Sequence, residues 1–290
     1  MKILLLGSQG QIGRCLTDQL INTRHQVFYS SRSDLDITNL KLTLEYISSL
    51  NPDVIINTAA YTAVDAAEEN KTDVNILNNI AVSNIAKICN ESNCLLVHYS
   101  SDYIFDGMSD LPYVENSNTN PLSIYGKSKL DSEIAIKSSN CKFLIIRTGW
   151  VYSEYGNNFM KTMIQLAHNS NEINVVADQF GCPTYAQDIA KATIIMIDKV
   201  KNDKECLGIY NYCGDTSCTW YDFCVSIFSQ AAEYNFSIPE IINPISTDEY
   251  PTLAERPKYS VLNCNKIMVN FNILPSSMDA GILNTLEAIK

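Results

Sequence analysis

The amino-acid sequence predicts a doubly wound parallel α/β sheet followed by a smaller C-terminal lobe, and three observations carry the prediction. Short apolar runs at Lys2–Leu6, Gln26–Tyr29, Asp53–Asn57, Cys94–Ser100 and Lys142–Arg147 alternate with helix-length stretches. Such runs are strands buried on both faces and joined by crossover helices. The first run leads directly into Gly7-Ser-Gln-Gly10-Gln-Ile-Gly13 and a helical stretch to about Ile21. The alternation loosens after about residue 150, which divides the chain into a sheet domain, 1–150, and a smaller lobe, 151–290, with some segments of the lobe returning to the sheet.

Each element has its own justification. Glycines three apart permit a tight turn, close backbone approach to a pyrophosphate and close helix–strand contact, while the helix N-terminus offers N–H groups and a positive dipole. A glycine pattern alone says little. Placed at residue 7, between strand and helix, it marks a Rossmann-type dinucleotide turn and makes Gly7, Gly10, Gln11, Ile12 and Gly13 candidate cofactor contacts. The second strand ends in Ser30-Ser31-Arg32-Ser33-Asp34-Leu35-Asp36-Ile37. An acidic residue here binds adenosine ribose hydroxyls, whereas an arginine accepts a 2′-phosphate. Ser30, Arg32, Asp36 and Ile37 are therefore candidates, and the choice between NADH and NADPH stays open. Asp36 with Thr38 reads equally as the start of the next helix.

The third strand, D-V-I-I-N, runs into Thr58-Ala-Ala-Tyr-Thr-Ala-Val-Asp65. Small residues at the carboxyl end of a strand let a flat ring lie against the backbone, which nominates Ala59, Ala60 and Tyr61. A helix rich in Asn and Ala follows to about Asn93. The fourth strand delivers Ser101, Asp102 and Tyr103 to the same edge. The next helix carries Tyr125-Gly-Lys-Ser-Lys129. A Tyr and a Lys four apart share a helix face. An ammonium there is expected to lower the phenol's pKa, making Tyr125 a general acid for a carbonyl under reduction. Y-x-x-x-K also arises by chance, so its weight comes from the rest of the chain.

Beyond residue 150, Asn157-Asn158-Phe159 opens a helix to His168, and Gln187–Val200 and Trp220–Ala232 read as two more. Val175–Thr184 is a strand and turn, Ile209–Tyr212 a strand, and Asp248–Ser260 a lid or substrate-edge loop holding Arg256-Pro257. This lobe is expected to close over the ligand edge of the sheet.

Composition narrows the function. The 290 residues suffice for an ample core. A net charge of −11 argues against nucleic acid or an anionic membrane as partner. An anionic ligand must then be met by a few local cations and backbone N–H groups. No apolar run approaches the roughly 20 residues of a membrane span, and Met1–Leu6 is too short for a signal-peptide core. Ten cysteines occur with no C-x-x-C spacing, and histidines stand only at 25, 98 and 168, so no zinc framework is expected. Reduced thiols and a cytoplasmic location are the corresponding expectation.

The motifs together resemble the extended short-chain dehydrogenase/reductase family, and within it the branch that reduces dTDP-linked 4-keto-6-deoxy sugars. The resemblance rests on Gly7–Gly13, Ala59–Asp65, His98–Phe105, Tyr125–Lys129, Arg147-Thr-Gly-Trp-Val-Tyr152, Gly156–Phe159, Asp178-Gln-Phe-Gly-Cys-Pro-Thr184, Tyr250-Pro-Thr and Arg256-Pro257. It implies hydride transfer from NADPH or NADH to C4 of dTDP-4-dehydro-L-rhamnose, giving dTDP-L-rhamnose for surface polysaccharide. It further implies that Tyr125 supplies the proton, Lys129 holds the nicotinamide ribose, and Ser101 hydrogen-bonds the reacting oxygen. Thr62, Val64, Asp102, Tyr103 and Trp150 would lie against the sugar, Arg256 would meet the diphosphate, and Asn158 and Gln179 would belong to the substrate site. Two alternatives stay open: a related nucleotide-sugar 4-reductase or epimerase, and a non-catalytic NAD(P)-binding regulatory subunit. The resemblance admits a homodimer. Some bacterial members place a Glu two residues after the last glycine to bind magnesium at a dimer contact. Here that position is Cys15, a poor magnesium ligand at neutral pH, so no such metal site is expected.

Overall fold

The computed structural model describes residues 1–201 and 203–290. Its elements run β1 (Lys2–Leu6), α1 (Gln11–Leu20), β2 (Gln26–Ser30), α2 (Leu40–Leu50), β3 (Val54–Asn57), α3 (Val64–Glu69), α4 (Lys71–Asn75), a π-helical turn (Ile76–Ile80), α5 (Ala81–Glu91), β4 (Leu95–Ser101), α6 (Ile124–Ser138) and β5 (Lys142–Thr148). The second half continues with β6 (Val151–Tyr152), α7 (Phe159–Asn169), β7 (Glu172–Val176), β8 (Phe180–Gly181), β9 (Thr184–Tyr185), α8 (Ala186–Val200) and β10 (Gly208–Asn211). It ends with β11 (Cys218–Thr219), α9 (Trp220–Ala231), β12 (Ile241–Ile245), α10 (Asn265–Phe271) and α11 (Met278–Ile289). Among the described residues no helix is long and apolar enough to cross a membrane.

Six parallel strands form the main sheet in the order β10-β5-β4-β3-β1-β2. Side chains alternate between the faces of a strand, and β1 shows the result. Ile3 and Leu5 pack with Cys15, Leu16 and Leu20 of α1 and Ile189 and Met196 of α8. Leu4 and Leu6 pack with Ile47 of α2, Val82 and Ile85 of α5, and Ile136 of α6. A continuous apolar run is thus what a strand covered on both faces requires. Strand β10, from the second half of the chain, is the edge strand beside β5, and α8 packs along α1. A third core joins Tyr152, Met160, Ile164, Phe223, Ile227, Ile282 and Leu286 from β6, α7, α9 and α11.

The strand order reverses between β1 and β3, since β2 lies on one side of β1 and β3, β4, β5 and β10 on the other. In open α/β sheets ligands bind outside the carboxyl ends of the strands at such a reversal. The turn after β1 occupies that point. Gly7 sits at φ +78°, a left-handed conformation that glycine alone adopts without cost. A Cβ on Gly13 would overlap the Gly7 carbonyl oxygen, so the third glycine serves helix–strand packing. The long helix expected to Asn93 is interrupted instead. It breaks after α3, and a π-helical turn separates α4 from α5.

Gly13→Ala is expected to destabilise the fold by about 1–3 kcal/mol through overpacking at the turn. A fall in the thermal midpoint would show it; an unchanged midpoint would mean that the turn can yield.

Candidate active site

Two cavities meet along the carboxyl edge of the sheet. One, of about 500 Å³, is lined by Gly7, Gly10, Ser31, Arg32, Leu35, Asp36, Ile37 and Ala59–Tyr61, with Leu77 beside them. The other, of about 410 Å³, is lined by Gly10–Ile12, Thr58–Ala60, Thr62, Ser101–Tyr103, Tyr125, Lys129, Trp150 and Trp220. They share Gly10, Thr58, Ala59 and Ala60, so they form one elongated cleft. The glycine turn stands where the two cavities meet, with Arg32 and Asp36 in the outer one and Tyr125 in the inner one.

Helix α6 presents the inner end. Ser123 caps it by accepting from the Gly126 N–H, and a Cβ on Gly126 would overlap the Tyr103 carbonyl oxygen. Glycine at 126 therefore lets α6 touch the backbone that follows β4. Tyr125 and Tyr103 meet edge to face at 5.9 Å. Ser101 donates to Asp102 Oδ1 at 3.0 Å and accepts from the Tyr103 N–H. The Lys129 amine, in a side chain only 3% exposed, lies 3.5 Å from His98 Nε2.

The electrostatics correct one expectation. Lys129 does not depress the Tyr125 phenol here. Burial dominates, Asp102 adds to it and Ser101 offsets part, so the phenol is pushed up to about 12. Burial also brings the Lys129 ammonium down to about 8, against an opposing pull from Glu133. The phenol's own desolvation sets the direction of its shift, and Lys129 supplies no offsetting pull. Burial likewise raises Asp102 to about 6, although Ser260 and Ser101 hydrogen-bond it. Its carboxyl packs where a Cβ on Gly149 would stand.

The remaining sequence-derived candidates divide into two groups. Gly7, Gly10, Gln11, Ile12, Arg32, Asp36, Ile37, Ala59, Ala60, Tyr61, Thr62 and Trp150 line the cleft with the groups already described. Ser30 and Gly13 do not; the Ser30 carbonyl accepts from Gly7 and Ser8 N–H and thereby shapes the turn. Asp36 accepts from both the N–H and hydroxyl of Thr38, while Asn39 caps α2. Val64 opens α3 outside the cleft lining. Asn158 is spent as the cap of α7 and on Gln11 and Ser153, and its neighbour Asn157 lines the cleft instead. Gln179 donates to Thr247 at 3.1 Å. Arg256 forms a two-bond fork with Asp65 and faces the Tyr103 phenol. In this arrangement it ties the 248–260 loop to α3.

Sequence reasoning missed Trp220. It is the first residue of α9, fixed by a Thr219/Asp222 capping box, and its ring stacks on Trp150 at 3.4 Å and 2°. Trp150 itself has φ +50°, a costly backbone for a bulky residue and the kind of strain that functional sites hold. The signal available in the sequence was slight, because a Trp opening an amphipathic helix reads as ordinary core.

Fold and site together define the class of this molecule, an extended short-chain dehydrogenase/reductase. The comparison with known families is specific: the chain belongs to the RmlD substrate binding domain family, whose model matches residues 1–290. It is 40% identical over 287 residues to the dTDP-4-dehydrorhamnose reductase of Aggregatibacter actinomycetemcomitans, a match spanning 98% of this chain and 97% of that protein. Among solved structures it is similar to a dTDP-4-dehydrorhamnose reductase from Clostridium acetobutylicum, with TM-score 0.91, 36% identity and 99% of each chain covered. It is also similar to the Bacillus anthracis enzyme of that name solved with NADP, with TM-score 0.90, 35% identity and 99% and 98% of the two chains covered.

Asp102 generates a pH prediction. Its folded pKa of about 6 exceeds the ordinary 3.8, so between those values the native state binds more protons than the unfolded one. Stability therefore falls as pH rises through that window, by an amount on the order of 3 kcal/mol if the whole shift is expressed. Asp102→Asn lacks this titration, so the stability difference, variant minus wild type, should grow in the variant's favour from pH 4 to 6. Parallel denaturation curves across that range would contradict the assignment.

Proposed function

We propose that the protein reduces the C4 keto group of dTDP-4-dehydro-L-rhamnose to dTDP-L-rhamnose with NADPH or NADH, in the cytoplasm, for surface polysaccharide synthesis. One observation carries the reading: Ser101, Tyr125 and Lys129 stand together at the inner end of a cleft that passes the Gly7–Gly10 turn and ends beside Arg32 and Asp36. The chain's division is read accordingly, with residues 1–150 binding the cofactor and the later lobe mainly the sugar nucleotide. A homodimer is compatible with this reading.

The residues fit a dinucleotide. The glycine turn offers close backbone approach ahead of the α1 N-terminus, and Ala59 and Ala60 provide a flat wall. Arg32 lines the outer cavity with no ion-pair partner among the described residues, whereas Asp36 is engaged by Thr38. Arg32 thus suits a 2′-phosphate and favours NADPH. When bound, the cofactor supplies the hydride to C4.

The protein's residues do the rest. Ser101, whose one proton goes to Asp102 Oδ1 in the resting protein, turns it to the C4 oxygen and fixes the carbonyl beside the phenol. Tyr125 gives its proton to that oxygen as negative charge grows on it, so the ketone gains one hydride and one proton and becomes an alcohol. The raised phenol pKa keeps the proton in place at neutral pH until an alkoxide develops. Lys129 holds the nicotinamide ribose, and Trp150 and Trp220 border the sugar.

Purified protein given dTDP-4-dehydro-L-rhamnose should oxidise NADPH stoichiometrically and yield dTDP-L-rhamnose. Cofactor that binds but is not consumed would point to an epimerase or a regulatory subunit. Tyr125→Phe should bind NADPH normally while turnover falls about 10²–10⁴-fold; unaltered turnover would remove Tyr125 from its role. Arg32→Ala should raise the Kd for NADPH more than that for NADH, and equal effects would sink the 2′-phosphate assignment.

A further inference from the structure

Lys129 is a buried amine without a carboxylate partner among the described residues, although one stands a single turn away. Glu133 follows Lys129 by four positions on α6, and of the residues three or four away from Lys129 on that helix it alone is acidic. Glu133 is fully buried. It is held instead by Arg147 of β5, whose Nε donates to Glu133 Oε1 at 2.9 Å and whose Nη2 donates to Oε2 at 2.7 Å. Each carboxylate oxygen thereby accepts one hydrogen bond from the guanidinium. Arg147 is itself fixed: its Nη1 donates to the Glu115 carbonyl at 2.9 Å, and its guanidinium lies 5.4 Å from the centre of the Phe105 ring.

The other neighbour of Lys129 is withheld in a different way. The Asn57 Oδ1 accepts from the Ala59 N–H, so its amide nitrogen faces His98 Nδ1 at 3.3 Å and donates to it. With Nδ1 accepting, the neutral ring carries its proton on Nε2 and donates to Ser132 Oγ at 3.1 Å. Ser132 sends its own proton to the Lys129 carbonyl. The imidazole therefore has no lone pair for the Lys129 amine, and its pKa, driven well down by burial and by Lys129, keeps it neutral.

We propose that Arg147 is a positioning residue that acts through Glu133: by closing a two-bond fork on that carboxylate it stops Glu133 from capturing Lys129, and so leaves the Lys129 donors for the ribose of the cofactor. This rests on the role given to Lys129 above. Removing one member of a buried ion pair strands the other's charge, and a stranded Glu133 would find Lys129 as the nearest cation on its helix face. Neutralising both members removes that competitor.

The test compares Arg147→Met, the double variant E133Q/R147M, and Lys129→Ala, each checked for folding by circular dichroism. NADPH affinity is titrated, and kcat and KM are measured separately. R147M is expected to weaken NADPH binding about 10–100-fold, with the KM for NADPH rising and kcat falling. E133Q/R147M should return to within about 3-fold of wild type. A double variant as weak as R147M, or an R147M that binds NADPH normally, would overturn the proposal and make the pair purely structural. Should R147M fail to fold, Arg147→Lys replaces it. That variant keeps a cation beside Glu133 and should retain affinity, so a folded R147K that loses affinity 10-fold or more also overturns the proposal. Lys129→Ala separates the two levels: normal NADPH binding there defeats the role of Lys129 itself, whereas weakened binding there with a normal R147M defeats only the role of Arg147.

Discussion

A single side-chain amide joins the cofactor wall to the helix that carries the reacting residues. Asn78, 1% exposed, accepts from the Tyr61 N–H at 2.7 Å and donates to the Tyr61 carbonyl and to Ser128 Oγ at 3.0 and 2.9 Å. Ser128 in turn donates to the Tyr125 carbonyl at 2.7 Å. Tyr61 lines the outer cavity and Tyr125 the inner one, so the relative position of the two ends of the cleft passes through this residue. Asn78 lies in the π-helical turn between α4 and α5. One extra residue per turn rotates a side chain out of α-helical register, which is why such turns recur at functional sites. Three of the four hydrogen bonds an Asn can make are satisfied, and a well-satisfied buried network is rigid.

That rigidity is set against polar groups whose burial is costly. Asp102, Lys129, Glu133 and Arg147 are each at most 3% exposed, and taking such groups out of water opposes folding unless partners replace the solvent. Glu133 and Arg147 have found theirs. Asp102 and Lys129 have found less, and burial moves both towards their neutral forms, to about 6 and about 8. Two apolar layers, one on each face of the sheet, offset the cost. Stability is supplied by the strands and their covering helices, while the carboxyl edge holds the imperfectly solvated groups that chemistry uses.

What could be read in the sequence was local. The strand–turn–helix at residue 7, the apolar runs and the Tyr125/Lys129 spacing are each complete within a few residues, and periodicity reports them directly. What could not be read depends on partners far along the chain. No spacing announced that Gln179 and Arg256 bond Thr247 and Asp65, the latter 191 residues from Arg256. Asn158 was a helix cap, a use that competes with ligand binding for the same oxygen. The interruption at the π turn was invisible because Asn- and Ala-rich segments favour no particular break. The phenol's acidity was misjudged for a related reason. Spacing places a charge near Tyr125 but says nothing of how much water remains.

The corrected electrostatics alter how Tyr125 and Lys129 divide the work. A phenol whose pKa had fallen to near 7 would present a large fraction of anion to an incoming carbonyl. Here burial holds the phenol at about 12, so at neutral pH essentially every molecule carries the proton that reduction consumes. Transfer remains favourable because an alkoxide is more basic still. Lys129 then need not acidify the tyrosine in the resting protein. Its amine, half-way to neutrality near pH 8 and freed from Glu133 by Arg147, contributes donors more than field. On this division the tyrosine's readiness comes from exclusion of water and the lysine's usefulness from the absence of a competing carboxylate. Both are properties of what surrounds the pair, which is why four positions of spacing could locate the chemistry without describing it.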